Sequence, residues 1–115
     1  MPILKLETTV ALSDEQRNTL LGSLSKVVAG TIGKPEQFVM VSISHSAMLM
    51  SGEAGMVAFV DLRSIGGLTR EVNRKLSQQV GQLLSDTLGI TPNRIYLNFT
   101  EIEAGNWGWN GSTFG

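Results

Sequence analysis

The feature that most constrains this fold is an internal repeat with a shift of 56 residues, which places Thr31 on Thr87. Residues 31–35 (TIGKP) precede one apolar, strand-like run, and residues 87–92 (TLGITP) precede a second one. The same shift superimposes the apolar positions of two helical patterns: Leu20 on Leu76, Leu24 on Val80, Val27 on Leu83 and Val28 on Leu84. A repeat of this kind indicates two copies of one supersecondary unit that pack together.

Both helices carry start and stop signals. Residues 13–16 (SDEQ) have the form of a capping box, and the apolar residues that follow recur with a helical period. Gly33 is expected to end this helix, with Pro35 just beyond it. The second helix is predicted over about residues 68–88 and is ended by Gly89 and Pro92.

Strands are predicted over residues 2–10, 38–44, 57–63 and 94–100. A helical crossover makes the two strands of each half parallel. We therefore predict an α+β fold (α/β two-layer) of two β-α-β pseudo-repeats, with a four-stranded mixed sheet and both helices on one face. The opposite face is expected to be apolar and uncovered, carrying Ile3, Phe59 and Val39, which favours self-association.

The chain has 115 residues, which predicts a single domain over 1–115. Its halves are expected at about 1–55 and 56–104, joined by a Gly- and Met-containing connection at 46–55, with a C-terminal tail at 105–115 that holds both tryptophans. The net charge is -1, so we expect neither a nucleic-acid partner nor a membrane partner. No apolar stretch approaches the ~18 residues of a transmembrane helix.

The absence of cysteine excludes disulfides, thiolate metal sites and cysteine nucleophiles. The one histidine, His45, is interpreted as a solvated residue at a strand end, so we predict no metal site. No cofactor is expected. The N-terminus lacks a secretory signal pattern, which predicts a cytoplasmic location and leaves export without a signal peptide open.

Pro2 is a candidate catalytic residue because removal of Met1 would make it a secondary amine at the start of a strand. An ordinary α-amino group titrates near ~8, and burial lowers this pKa because desolvation disfavours the charged form. Such an amine would suit general base catalysis near neutral pH. The alternative is structural, since a proline at a strand start is tolerated without its N–H.

Other candidates leave two interpretations open. The turn at 64–67 (SIGG) either presents backbone N–H groups to an anion or is a simple strand-to-helix connection. Lys34 is either an anion ligand or a solvated loop lysine. Tyr96 and Asn98 share one face of the last strand. This polar pair either makes hydrogen bonds at a sheet edge or points into a site. The aromatic, glycine-rich tail forms either a terminal hairpin or the wall of a small-molecule pocket.

The chain carries five segments in a fixed order: Met1-Pro2, Gly33-Lys34-Pro35, Ser64-Ile65-Gly66, Tyr96-x-Asn98 and the tail 106–114 (NWGWNGSTF). Together they resemble the macrophage migration inhibitory factor family, part of the tautomerase superfamily, over the whole chain. The tail is the most specific segment, and it is closer to the migration inhibitory factor branch than to the D-dopachrome decarboxylase branch. The resemblance implies a homotrimer with sites at the subunit interfaces and keto–enol tautomerase activity on small aromatic 2-oxo acids such as phenylpyruvate.

The resemblance also implies roles for individual residues. Pro2 is the catalytic base, and Lys34 binds the substrate carboxylate. The turn at Ser64 and Ile65 contacts substrate, and Asn98, with Tyr96 beside it, reaches the substrate from a neighbouring subunit. The remaining pocket residues are aromatic: Phe38, Trp107, Trp109 and Phe114.

This sequence departs from the pattern of the animal relatives at three positions. Phe38 replaces a common tyrosine, Trp107 replaces a smaller aliphatic residue, and Arg63 stands beside the SIGG turn where another residue is usual. These changes affect the expected substrate preference more than the reaction type. Residues 57–60 (VAFV) replace a Cys-x-x-Cys, so no thiol–disulfide oxidoreductase activity is expected.

The predicted activity is therefore that of a cofactor-independent isomerase. A trimeric, cytokine-like signalling or interaction protein with a vestigial or ligand-binding pocket is the alternative from another class. A structural trimer without activity is a third interpretation, which the joint presence of Lys34 and Asn98 disfavours.

Overall fold

A computed structural model describes residues 1–115, and each half of the chain forms a strand, a helix and a strand. The first half contains β1 (Pro2–Thr8), α1 (Asp14–Ile32) and β2 (Met40–His45). The second contains β3 (Ala58–Ser64), α2 (Arg70–Leu88) and β4 (Ile95–Glu101). The tail adds a small hairpin of β5 (Gly108–Trp109) and β6 (Ser112–Thr113). The prediction of two β-α-β units is confirmed.

The four long strands form one mixed sheet in the order β2-β1-β3-β4. β1 is parallel to β2, β3 is parallel to β4, and β1 runs antiparallel to β3. The central register pairs Pro2 with Ser64 and Thr8 with Ala58, so each end of the sheet holds the start of one central strand and the end of the other. β2 and β4 are the two edges.

The helix ends follow the sequence signals. Ser13 caps α1 with a complete capping box, in which its side chain accepts from Gln16 N while the Gln16 side chain accepts from Ser13 N. Gly33 and Gly89 end the two helices with φ of 80° and 74°, the left-handed conformation that glycine adopts without strain. No helix is long and apolar enough to cross a membrane.

The core lies between the helices and one face of the sheet. Alternate residues of β1 and β3, among them Leu4, Leu6, Val60 and Leu62, are fully buried there. They pack against one buried stripe on each helix: Leu20, Leu24 and Val28 of α1, and Leu76, Val80 and Leu84 of α2. Burial of each such side chain stabilises the fold by about 1.5–3 kcal/mol before entropy is counted.

Several predicted boundaries were wrong by one or two residues, for local reasons. β2 begins at Met40 because residues 36–38 form a 3-10 turn in which Phe38 N donates to Pro35 O. A matching turn at 92–94 delays β4 to Ile95. α2 begins at Arg70 because the Thr69 side chain accepts from Val72 N and caps the helix. β1 ends at Thr8, two residues early.

The uncovered face of the sheet is mixed, which corrects the expectation of an apolar face. Ile3 and Phe59 lie on it, half-buried, but the same strands place charged side chains between them: Lys5, Glu7, Asp61 and Arg63. Val39 precedes β2 and packs against the core on the helical side instead. His45 is the exposed last residue of β2, as predicted, with Nε2 3.1 Å from Thr9 O.

Candidate functional site

Pro2 is the first residue of β1, and it is buried, with Met1 half-buried before it. Its register partner is Ser64, the last residue of β3. The strand start suits proline because no ladder N–H is needed there. Pro2 therefore lies at the end of the sheet where β3 ends and where the tail returns.

A cavity of about 320 Å³ opens against Pro2. Its walls are largely apolar and come from the N-terminus, the turn before β2 and the tail: Met1, Pro2, Ile3, Gln37, Phe38, Val39, Met40, Trp107, Gly108, Trp109 and Phe114. Four predicted pocket residues thus line the same cavity as Pro2: Phe38, Trp107, Trp109 and Phe114. Ile3, Gln37, Val39, Met40 and Gly108 were not predicted as lining residues; Ile3 was identifiable as the neighbour of Pro2, whereas no sequence signal marked Gln37.

The tail forms a terminal hairpin and also lines the cavity, so the two interpretations of its sequence are compatible. Asn110 and Gly111 have φ of 51° and 78°, as a two-residue hairpin turn requires. The turn folds β6 back, and the rings of Trp109 and Phe114 stack with centroids 5.7 Å apart and an interplanar angle of 12°. Phe114 N donates to Trp107 O at 3.1 Å, which fixes the end of the tail beside the cavity.

The electrostatics of the cavity disfavour a positive charge on an amine. The pKa of the Met1 amino group is lowered from its ordinary value of 8.0, first by burial and then by the positive charge of Lys34. Lys34 follows Gly33 at the end of α1 and does not itself line the cavity. The Pro2 nitrogen is one residue further along the chain from this amine.

The turn after β3 brings the end of α1 close. Gly66 and Gly67 have φ of 73° and 82°, and a Cβ on Gly67 would lie 2.7 Å from Ile32 Cγ2 and 3.7 Å from Lys34 Cε. Glycine at 67 therefore allows the Ile32 side chain to pack against this turn, and the Lys34 side chain lies beside it at ordinary contact distance. Ser64 is buried, and its hydroxyl donates to Gly66 O at 2.8 Å, which stabilises the turn. Ile65, the next residue, is half-buried.

Tyr96 and Asn98 share one face of β4, as predicted, but they lie far from Pro2 within one chain. Tyr96 is level with Phe59, and Asn98 is level with Asp61 and, one strand further, Lys5. Asn98 is therefore three residues along the sheet and two strands across from Pro2, roughly 10 Å in each direction. Tyr96 is 65% exposed on an edge strand. One chain does not bring these two residues into the cavity.

No three His, Cys, Asp or Glu side chains lie together as a metal site would need. An N-terminal amine position and aromatic rings line the cavity, an ammonium group lies near the amine, and the predicted site residues Ser64 and Ile65 do not line the cavity. This arrangement can bind a small aromatic anion and transfer a proton.

Known proteins resemble this chain over its whole length. The sequence model of the family described as macrophage migration inhibitory factor (MIF) matches residues 1–115. The chain is 40% identical over 115 residues to a macrophage migration inhibitory factor homolog of Trichuris trichiura, covering 99% of this chain and 100% of the relative. It is 38% identical over 115 residues to macrophage migration inhibitory factor of Meriones unguiculatus, with 99% of each chain covered.

Solved structures agree. A macrophage migration inhibitory factor homologue from Prochlorococcus marinus superimposes with a TM-score of 0.93 at 36% identity, over 98% of this chain and 99% of the other. The Toxoplasma gondii macrophage migration inhibitory factor gives 0.94 at 33% identity, over 97% and 99%. On sequence and on fold, this chain belongs to the macrophage migration inhibitory factor family.

Proposed function

We propose that this chain is a cofactor-independent keto–enol tautomerase of the phenylpyruvate type, with the Pro2 amine as general base once Met1 has been removed. The observation that carries the proposal is the position of Pro2, buried at the start of β1 against an aromatic-walled cavity. The lowered pKa of the Met1 amine at this place supports it, because a neutral amine is the form that accepts a proton.

In the proposed reaction, the Pro2 nitrogen takes the enol O–H proton of the substrate and returns a proton to the adjacent carbon. The C=C bond becomes a C–C bond and the C–O bond becomes C=O, so atoms and electrons balance without a cofactor. Lys34 attracts the substrate carboxylate, and its charge also favours the neutral amine. A positioned general base of this kind contributes about 10²–10⁴-fold in rate.

The aromatic walls have two roles in this proposal. The stacked Trp109 and Phe114 rings hold the aryl group of the substrate. They also exclude water, which strengthens the attraction between Lys34 and the carboxylate. Phe38 offers no hydroxyl, so within one chain this end of the cavity binds the ring through apolar contact.

We also propose a homotrimer in which a neighbouring subunit supplies Tyr96 and Asn98. Both side chains are exposed on β4, an edge strand with no partner on its outer side within one chain. They lie too far from Pro2 of the same chain to act there. A monomer at micromolar concentration by light scattering would contradict this arrangement.

The test compares two forms of the same purified chain, one without Met1 and one that retains it, each identified by intact mass. With Met1 in place, Pro2 is an amide nitrogen and has no basic lone pair. Because Met1 also lines the cavity, the binding of an aromatic carboxylate is measured for both forms as the control. We expect the processed form to accelerate phenylpyruvate tautomerisation by at least about 100-fold over the retained form. Equal activity of the two forms would contradict a role for the Pro2 amine.

A trimeric, cytokine-like interaction protein with a ligand-binding pocket is the alternative function. It predicts that the processed form binds aromatic carboxylates without turning over the enol. The two forms above therefore separate the proposals in one experiment, with binding measured beside activity.

A further inference from the structure

A second cavity of about 300 Å³ lies directly beside the Pro2 cavity. It is lined by Ile3, Arg63, Ile102, Asn106, Trp107 and Gly108. Three of these residues, Ile3, Trp107 and Gly108, also line the Pro2 cavity. The half-buried Trp107 thus stands between two spaces of similar size.

The second cavity differs from the first because an arginine, Arg63, lines it. Arg63 pairs with Ile3 across the central strands and projects on the uncovered face of the sheet. Its Nη2 donates to Asp61 Oδ2 at 3.1 Å, in a pair whose side chains are 54% and 19% exposed. An exposed pair of this kind contributes little stability, and guanidinium has five N–H donors, so Nη1 and Nε remain available to a ligand.

We infer that Arg63 and the Asn106 amide form an anion subsite for a second carboxylate of the ligand. A guanidinium binds a carboxylate through two parallel hydrogen bonds, and an amide N–H supplies a third donor. The Trp107 indole offers a planar, apolar surface to the part of the ligand that joins its two charged ends. The ligand class is an elongated dicarboxylate with a flat apolar centre, one carboxylate attracted by Lys34 and the other bound by Arg63.

This inference rests on the proposed function only for the assignment of the Pro2 cavity as a ligand site. If the reaction is tautomerisation, the preferred substrates are 2-oxo acids that carry a second carboxylate. Arg63 then acts as a specificity-determining residue, and Pro2 remains the base.

The test is a binding measurement with benzoate and terephthalate, which share one ring and differ by one carboxylate. We expect the wild-type protein to bind terephthalate at least about tenfold more tightly than benzoate by calorimetry, since a hydrogen-bonded charged group commonly contributes this much. In Arg63→Gln the preference falls to about twofold or less. Arg74→Gln, which removes an exposed arginine of α2, keeps the wild-type preference.

Two further readouts locate the effect. Terephthalate shifts the Trp107 indole N–H resonance in the wild type and leaves it near its free position in Arg63→Gln. Asn106→Ala reduces the preference in part. A wild-type preference of about one, or an unchanged preference in Arg63→Gln, would overturn the inference. Because the readout is binding, the outcome is independent of whether Pro2 catalyses any reaction.

Discussion

The two ends of the sheet are related by the 56-residue repeat, and they differ in what they hold. At the open end, Pro2 and Phe38 line the aromatic cavity, and Lys34 lies near enough for its charge to lower the pKa of the Met1 amine. At the other end, the repeat-equivalent positions hold Ala58, Ile90 and Arg94. Ala58 and Ile90 are buried, at 3% and 0% exposure.

At the Ala58 end, the connection between the halves is the repeat-equivalent of the tail, and it is bonded to Arg94. Arg94 donates to Met50 O at 2.8 Å, Glu53 O at 3.1 Å and Ala54 O at 3.2 Å. Thr8 Oγ1 donates to Val57 O at 2.8 Å, and Thr9 Oγ1 donates to Gly55 O at 2.9 Å. These bonds hold residues 50–57 against the sheet.

At the open end the tail folds into its own hairpin, and its aromatic rings line a space beside Pro2. The shared scaffold therefore provides two similar sheet ends, and the residues that break the repeat decide which end is a site. Polar bonds to the backbone hold the connection at one end, whereas aromatic side chains line the Pro2 cavity at the other.

The largest expected effect contrasts Pro2 with Ala58. Pro2→Gly replaces the secondary amine and loosens its placement, so kcat/KM for phenylpyruvate should fall by about 10²–10⁴-fold. Ala58→Gly adds backbone freedom at the equivalent strand position and should cost about 0.5–1 kcal/mol of stability, with activity within about threefold of wild type. Steady-state kinetics and urea unfolding measure both. Wild-type activity in Pro2→Gly would remove the distinction between the ends.

The second contrast is between Ile90 and Lys34. Ile90 is fully buried, so Ile90→Ala should lower the free energy of unfolding by about 2–5 kcal/mol. Lys34 is half-buried, and Lys34→Met should change stability by no more than about 0.5 kcal/mol. Lys34→Met should instead lower kcat/KM by about tenfold or more, because the carboxylate loses its counter-charge. If stability, not kcat/KM, falls in Lys34→Met, the lysine is a structural residue.

The third contrast is between Arg94 and Phe38. Arg94→Met removes the three bonds to the connection and should lower the free energy of unfolding by about 1.5–3 kcal/mol. Phe38 is 37% exposed at the cavity, so Phe38→Ala should lower the free energy of unfolding by less than about 1 kcal/mol and weaken the binding of aromatic carboxylates. Denaturant titration and calorimetry measure the two losses. Equal loss of stability in both variants would show that Phe38 also holds the fold.

The sequence predicted the scaffold well because its determinants are local or periodic. The capping box at Ser13 and the glycines at 33 and 89 predicted the helix ends, and the repeat predicted the topology. The 3-10 turns at 36–38 and 92–94 were not predicted, although they too are 56 residues apart. The sequence of an apolar run does not indicate at which residue the strand begins.

The site was predictable only in part from single residues. Pro2 was identifiable by its position and the tail by its composition. The place of Gln37 in the Pro2 cavity, and the cavity beside Arg63, depend on how segments distant in sequence pack together. The mixed character of the uncovered face was also missed. Ile3 and Phe59 were assigned to it without the charged residues that share this face on the same strands. The distance of Asn98 from Pro2 follows from sheet order, which the repeat alone does not give.

The smallest expected effect concerns the pH dependence of the processed enzyme. Activity should rise with pH as the Pro2 amine loses its proton, with a midpoint below the ordinary α-amino pKa of 8.0. We expect the Pro2 amine to share the burial and the Lys34 charge that lower the pKa of the Met1 amine one residue away. In Lys34→Met the midpoint should move upward, since one cause is gone, yet stay below 8.0, because burial is the larger cause. The profile of kcat/KM against pH for both proteins measures the shift. A midpoint at or above 8.0 in the wild type would show that the open end does not desolvate its amine, and an unchanged midpoint in Lys34→Met would show that the lysine charge does not reach it.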